Sequence, residues 1–134
     1  MPHYMLDTNM CIYLIKNQPK QVARRFVNCF VGDVVMSAIT FAELDYGVAV
    51  SKDPERELNN LNKLVKLINV MPFDANAARA YGAVRMATRE RKKDHLDKLI
   101  ASHAIALKII LVTNNERDFI AYPGLQIENW ITES

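Results

Sequence analysis

The sequence is poor in the features that mark several large protein classes. It has two cysteines, Cys11 and Cys29, too few for the disulfide framework of a small secreted fold, so a reduced, cytoplasmic setting is expected. The opening Met1-Pro2-His3-Tyr4-Met5-Leu6-Asp7 lacks a basic segment and its apolar run stops at Asp7, which argues against a signal peptide. No apolar run approaches the ~20 residues that span a bilayer, so no membrane partner is expected. With only four glycines, the chain contains no G-x-G-x-x-G or Walker-type loop and no G-x-S-x-G elbow. His3, His95 and His103 do not combine with the cysteines at zinc-ligand spacing. Charge of one sign is lacking too: the net charge of +2 is too small to point to nucleic acid by itself.

What is present fits an ordinary folded unit. The length of 134 residues suits one domain over 1–134, and 50% hydrophobic residues exclude a disordered chain. Short apolar runs at 4–6, 34–36, 68–71, 109–112 and near 125–128 read as strands. Helical patterns occupy 10–16, 19–30, 38–51, 54–67, 74–92, 95–107 and 115–120. Pro54 suits a first helical turn, and Leu58, Leu61, Leu64, Val65 and Ile68 give that helix an apolar stripe. Ile109-Ile110-Leu111-Val112 has the character of a strand buried on both faces. Strands alternating with helices predict an α/β fold with a central, mainly parallel sheet between helical layers.

Such sheets bind ligands beyond the carboxyl ends of their strands, which directs attention to acids just after apolar runs. Asp7, in Asp7-Thr8-Asn9, follows the first strand; it also suits a helix cap. Glu43 follows the second strand by one helical turn and more, on the face of Ile39, Tyr46 and Val50; a carboxylate buried there is paired, protonated or bound to a metal, and the local alternative is a Glu that edges into solvent or pairs with an Arg. Asp97 stands in Asp94-x-x-Asp97, which doubles as a capping box. Thr113, Asn115 and Asp118 follow the fourth strand, where an Asn cap is again the local alternative. Gathered carboxylates repel and call for a cation, and oxygen-only donors favour Mg²⁺ or Mn²⁺. His103, on an apolar helix side, reads as a satisfied core residue. Arg85, Arg89, Arg91, Lys92 and Lys93 form a basic cluster that is either a phosphate-contacting patch or a solvated helix end.

Two phosphotransfer readings fit less well. A haloacid-type phosphatase needs D-x-D where this chain has Asp7-Thr8-Asn9. A receiver domain needs an acceptor Asp and a Lys where Met36 and Thr113 stand.

Taken together, Met5-Leu6-Asp7-Thr8-Asn9, Ser37-Ala38-Ile39-Thr40-Phe41-Ala42-Glu43-Leu44, Leu96-Asp97-Lys98-Leu99-Ile100-Ala101-Ser102-His103-Ala104 and Leu111-Val112-Thr113-Asn114-Asn115 resemble the PIN-domain family, in particular its VapC branch, the toxins of bacterial type II toxin–antitoxin pairs. Pro123-Gly124-Leu125-Gln126-Ile127-Glu128-Asn129-Trp130 is similar to the same branch. The resemblance implies a three-layer α/β/α fold and an Mg²⁺- or Mn²⁺-dependent endoribonuclease. It implies as target the anticodon stem-loop of initiator tRNA, with arrest of translation. It also implies a homodimer and a VapB-like antitoxin, in a larger hetero-oligomer, whose C-terminal segment blocks the acidic site. Asp7, Glu43 and Asp97 match the family's acids and are expected to hold the metal. Asn115 stands where many relatives have an acid, with Asp118 the nearest substitute and Thr113 beside them. Arg91-Lys92-Lys93-Asp94 replaces a Gly-rich turn of many relatives. Arg89, Arg91, Lys92 and Lys93 are the expected RNA contacts. The departure at Asn115 leaves one alternative, a catalytically weak or inactive PIN domain that binds RNA or serves as a scaffold.

Overall fold

The computed structural model describes residues 2–132. Five strands form one all-parallel sheet in the order β3-β2-β1-β4-β5. They are β1 (Tyr4–Leu6), β2 (Val34–Ser37), β3 (Asn69–Met71), β4 (Ile110–Val112) and β5 (Ile127–Glu128). The helices are α1 (Thr8–Lys16), α2 (Lys20–Val27), α3 (Ala38–Ala49), α4 (Pro54–Leu67), α5 (Ala75–Ala87), α6 (His95–Leu107) and the short α7 (Glu116–Phe119). All the strands expected from sequence form, within a residue or two of their predicted ends.

The alternation of side chains along a strand divides the core into two layers. Leu6, Val34, Met36 and Val112 point to one face, where Met10, Cys11, Val22, Leu44, Leu61, Leu64 and Trp130 cover them from α1 to α4 and the C-terminal segment. Met5, Val35 and Leu111 point to the other, against Val84, Ile100, Ala101, Ala104, Phe119 and Tyr122. This is a three-layer α/β/α arrangement. Each fully buried aliphatic side chain contributes about 1.5–3 kcal/mol, so the two layers supply most of the driving force.

The sheet order sets where a site can form. From β1 the chain moves outward to β2 and β3, then returns across the sheet to place β4 on the other side of β1. The crevice between β1 and β4 is therefore the switch point at which α/β sheets bind ligands. Asp7 stands at the end of β1 and Thr113 at the end of β4, and the Asp7 N–H donates to the Val112 carbonyl at 3.1 Å.

Several local expectations shift. The first helix begins at Thr8, not at residue 10, because Asp7 caps it: its Oδ1 accepts the Met10 N–H at 2.9 Å. The helix predicted over 74–92 ends at Ala87. Thr88 turns its hydroxyl back to the Val84 carbonyl at 2.8 Å, and Lys98 draws the Thr88 and Arg91 carbonyls away from a helical path. The basic residues 89–93 thus occupy a loop. The α4 stripe is borne out at Leu61, Leu64 and Ile68, whereas Leu58 is 44% exposed. Both cysteines are free thiols, and among the described residues no helix is long and apolar enough to cross a membrane.

Candidate active site

The cleft beyond the β1–β4 edge has a volume of about 130 Å³ and is lined by Asp7, Thr8, Asn9, Glu43, Asp97, Ile100, Asn115 and Phe119. Each carboxylate reaches it by a different route. Asp7 is delivered by β1. Glu43 is carried by α3, which starts at the carboxyl end of β2 under the Ser37 cap, whose Oγ accepts the Ile39 N–H at 3.0 Å. Asp97 lies in the first turn of α6, the helix that runs back along the sheet into β4, so its N-terminus overlies the same edge.

Asp7 is buried, at 5% exposure, while Glu43 and Asp97 are half-buried. Burial pushes the Asp7 carboxyl above its ordinary value, against hydrogen bonds from the Thr113 hydroxyl and the Met10 amide, and the Glu43 charge adds to the rise. Asp97 is pushed up to about 6, first by burial and then by the charges of Asp118, Asp7, Glu43 and Asp94. No lysine or arginine lines the cleft, and among the described residues none of these three acids forms an ion pair.

The expected Glu43 environment needs correction. Tyr46 and Val50 are 69% and 62% exposed. The buried face of α3 carries Thr40 and Leu44 instead. Glu43 lies beside that face and is oriented by Thr8, whose hydroxyl donates to Oε1 at 2.6 Å. The Thr8 hydroxyl also stands 3.4 Å from Thr40 Oγ. Thr8 is thus part of the polar ring, with the buried Thr40 behind it, and the signal for Thr8 lay in its place between Asp7 and Asn9.

Two local alternatives are also revised. Asp94 stands at the start of α6, but its side chain caps no backbone N–H. It is drawn off by the Tyr122 hydroxyl, which donates to Oδ2 at 2.6 Å, and by Arg91 and Lys98. Asn115 precedes α7 without a side-chain cap; its Nδ2 donates to Asp118 Oδ2 at 2.6 Å, and its own N–H donates to Thr113 Oγ1 at 2.9 Å. Asn115 lines the cleft and Asp118 does not; Asp118 acts on it through Asn115 and through its charge on Asp97. His103 is buried, with Nδ1 2.7 Å from Ser37 Oγ. Arg85, Arg89, Lys92 and Lys93 are exposed and Arg91 is half-buried.

The donor set suits a hard divalent cation: carboxylate oxygens, supported by hydroxyls and one amide, with their mutual repulsion unrelieved by protein cations. Among the described residues, no three acid, histidine or cysteine side chains stand close enough together to hold a metal ion. Asp7, Glu43 and Asp97 line one shared cleft.

A second, larger groove of about 590 Å³ adjoins the cleft and shares Thr8 and Glu43 with it. Its walls are Ile12, Ile15, Leu44, Val48 and Leu61, and Lys16, Arg56 and Glu57 also line it.

A parallel α/β/α sandwich with carboxylates gathered at its switch point is the frame on which the comparisons with known proteins bear. The sequence matches the PIN domain over residues 4–125, and the chain belongs to that family. It is 42% identical over 132 residues to the tRNA(fMet)-specific endonuclease VapC of Shigella flexneri, covering 97% of this chain and 99% of that protein. The fold superposes on the DNA-bound VapBC structure from Salmonella typhimurium with a TM-score of 0.89 at 38% identity, covering 97% and 99% of the two chains. It superposes on Rickettsia felis VapBC2, bound to a DNA fragment from its promoter, with a TM-score of 0.85 at 35% identity, covering 95% and 98%. The chain is thus closely related to the VapC-type toxins of type II toxin–antitoxin systems, a family of PIN ribonucleases.

Proposed function

We propose that the protein is a cytoplasmic, Mg²⁺- or Mn²⁺-dependent endoribonuclease that cleaves the anticodon stem-loop of initiator tRNA and so stops translation. The observation that carries the reading is the set of three unneutralised carboxylates, Asp7, Glu43 and Asp97, around one cleft at the switch point. The choice of RNA follows the relative from Shigella flexneri. An RNA loop offers unstacked bases that a protein can splay and read.

Asp7 and Asp97 are the residues that hold the cation, with Glu43 sharing it or orienting the attacking water. When bound, such a cation supplies Lewis acidity and positive charge against the charge that develops at phosphorus. The chain's own residues do the rest. Thr8 fixes the Glu43 carboxylate. Thr113 and Asn115 complete the polar ring, and Asp118 holds the Asn115 amide. The exposed Arg89, Lys92 and Lys93 contact RNA phosphates, with an affinity that falls as salt rises.

A VapB-like antitoxin is the partner, in keeping with the toxin–antitoxin complexes that this fold superposes on. Its C-terminal segment follows the apolar groove to Thr8 and Glu43 and brings a basic side chain to a cleft that lacks one. The toxin itself is a homodimer.

Cleavage of a tRNA pool by antitoxin-free protein, with Mg²⁺ or Mn²⁺ and with EDTA, tests the proposal beside Asp7→Asn. Site-specific cutting that needs both the metal and Asp7 supports it, and mapping the cut names the substrate. Folded, antitoxin-free protein that cuts nothing would move the assignment to the non-catalytic RNA-binding domain. The exposed Asn115, at a position where an acid is common, is the observation that favours that second reading.

A further inference from the structure

The loop at 88–94 carries the most basic run of the chain, yet one of its cations is committed elsewhere. Arg91 Nε is 3.1 Å from Asp94 Oδ2. Its Nη1 donates to the Asp118 carbonyl at 2.9 Å. Its guanidinium carbon stands 5.0 Å from the Tyr122 ring centroid. Three directions of one planar fork are therefore in use, on the loop before α6, on α7 and on the segment after α7. The anchor for this fork is itself fixed. Asp94 takes the Tyr122 hydroxyl at 2.6 Å and lies 3.2 Å from the buried Lys98 ammonium. Lys98 in turn donates to the Thr88 and Arg91 carbonyls at 3.0 and 2.7 Å.

The two elements that this cluster joins both serve the cleft. The first turn of α6 bears Asp97. The stretch into α7 bears Asn115 and Asp118, and among the neighbouring charges that of Asp118 acts most strongly on Asp97. In the structure, the link between Asp118 and the α6 side of the cleft runs through the Arg91 fork. Lysine in its place could keep the charge but not the fork, because an ammonium is a point donor without the planar geometry that spans separate acceptors.

We propose that Arg91 is a positioning residue that holds α7 so that Asn115, backed by Asp118, lines the cleft with Asp97, rather than an RNA contact like Lys92 and Lys93. This rests on the metallonuclease reading for its consequence, and on geometry alone for its mechanism.

The test compares Arg91→Gln, Arg91→Lys, Tyr122→Phe and the pair Lys92→Ala/Lys93→Ala in the full chain. Three readouts are taken: backbone amide exchange of residues 118–120, Mn²⁺ affinity, and the salt dependence of RNA binding. In Arg91→Gln, loss of charge-assisted hydrogen bonds should speed exchange at 118–120 about tenfold. Mn²⁺ affinity should fall about tenfold, the scale seen when an outer partner of a metal ligand is lost. The salt slope should not change. Arg91→Lys should recover neither. Tyr122→Phe keeps the ring and removes one hydrogen bond, so it should give a smaller change in the same direction from a securely folded protein. Lys92→Ala/Lys93→Ala should lower the salt slope and leave exchange and Mn²⁺ affinity as in wild type.

The proposal is overturned if Arg91→Gln lowers the salt slope while exchange and Mn²⁺ affinity stay wild-type, or if Arg91→Lys restores every readout. Failure of the metallonuclease reading shows differently. Wild type would then lack Asp7-dependent Mn²⁺ binding, and the exchange at 118–120 would still decide for or against Arg91.

Discussion

Asp94 and Asp97 stand three residues apart at the start of α6, and the fold treats them in opposite ways. Burial alone raises a carboxyl pKa, and it does so for both. At Asp94 the Tyr122 hydroxyl, Lys98 and Arg91 outweigh burial and hold the carboxyl below its ordinary value. At Asp97 nothing offsets burial, and four further carboxylates push it up to about 6. The same helix turn therefore carries one carboxylate that is neutralised to fasten structure and one left without a counter-charge. A cleft that keeps its acids unpaired spends stability on readiness for a cation.

The contrast can be broken from either side. The largest effect is expected at Asp7. Asp7→Asn and Asp7→Ala should each lower RNA cleavage by about 10²–10⁴ at saturating Mg²⁺. Stability should separate them. Asn still accepts the Met10 N–H, whereas Ala loses the cap and about 1 kcal/mol in chemical denaturation.

On the structural side, Lys98→Met should destabilise the protein by roughly 3 kcal/mol, because it leaves the Thr88 and Arg91 carbonyls without their donor and Asp94 with Arg91 as its one remaining cation. Combining it with Asp94→Asn should restore part of that loss, which equilibrium unfolding of the single and double variants would show.

Substituting Lys92 and Lys93 by Glu should weaken RNA binding and lower the slope of log affinity against log salt by about 2. Titration at several salt concentrations measures it. An unchanged slope would make these side chains a solvated surface only.

The smallest effect sharpens the comparison most. With a folded-state pKa raised above the ordinary 3.8, the stability Asp97 contributes is full below about that pH and is lost as pH rises through about 6. Asp97→Asn should therefore raise the melting temperature of metal-free protein at pH 7.5 by roughly 2–4 °C, with the gain vanishing near pH 4. Asp94→Asn should do the reverse at pH 7.5, since a lowered carboxyl pKa contributes stability above 3.8 and loses it as pH falls.

Much of this arrangement is readable in the sequence, for reasons that are physical. The strands were legible because buried parallel strands are short apolar runs, and Asp7 and Thr113 because they end two of them. The parallel α/β/α class followed from the alternation of elements. The strand order did not, because adjacency across β1 depends on long-range pairing that no local pattern encodes. The Glu43 face was misread because helical spacing fixes which residues share a face, not which face meets the core; Thr40 and Leu44 do. The 88–94 loop was hidden by helix-forming residues whose path is overruled by a single buried ammonium. A lysine at Lys98, among the small buried residues Ala101 and Ser102 one turn on, was the available clue.

The central claim is that the unpaired acids of the cleft exist to take a divalent cation. Mn²⁺ binding to antitoxin-free protein, followed by electron paramagnetic resonance at pH 7.5, tests it most directly. The account predicts binding by wild type that is lost in Asp7→Asn and Asp97→Asn and retained in Asp45→Asn, an exposed acid on another face of α3. Binding that is absent from folded wild type, or equal in all four proteins, would contradict it.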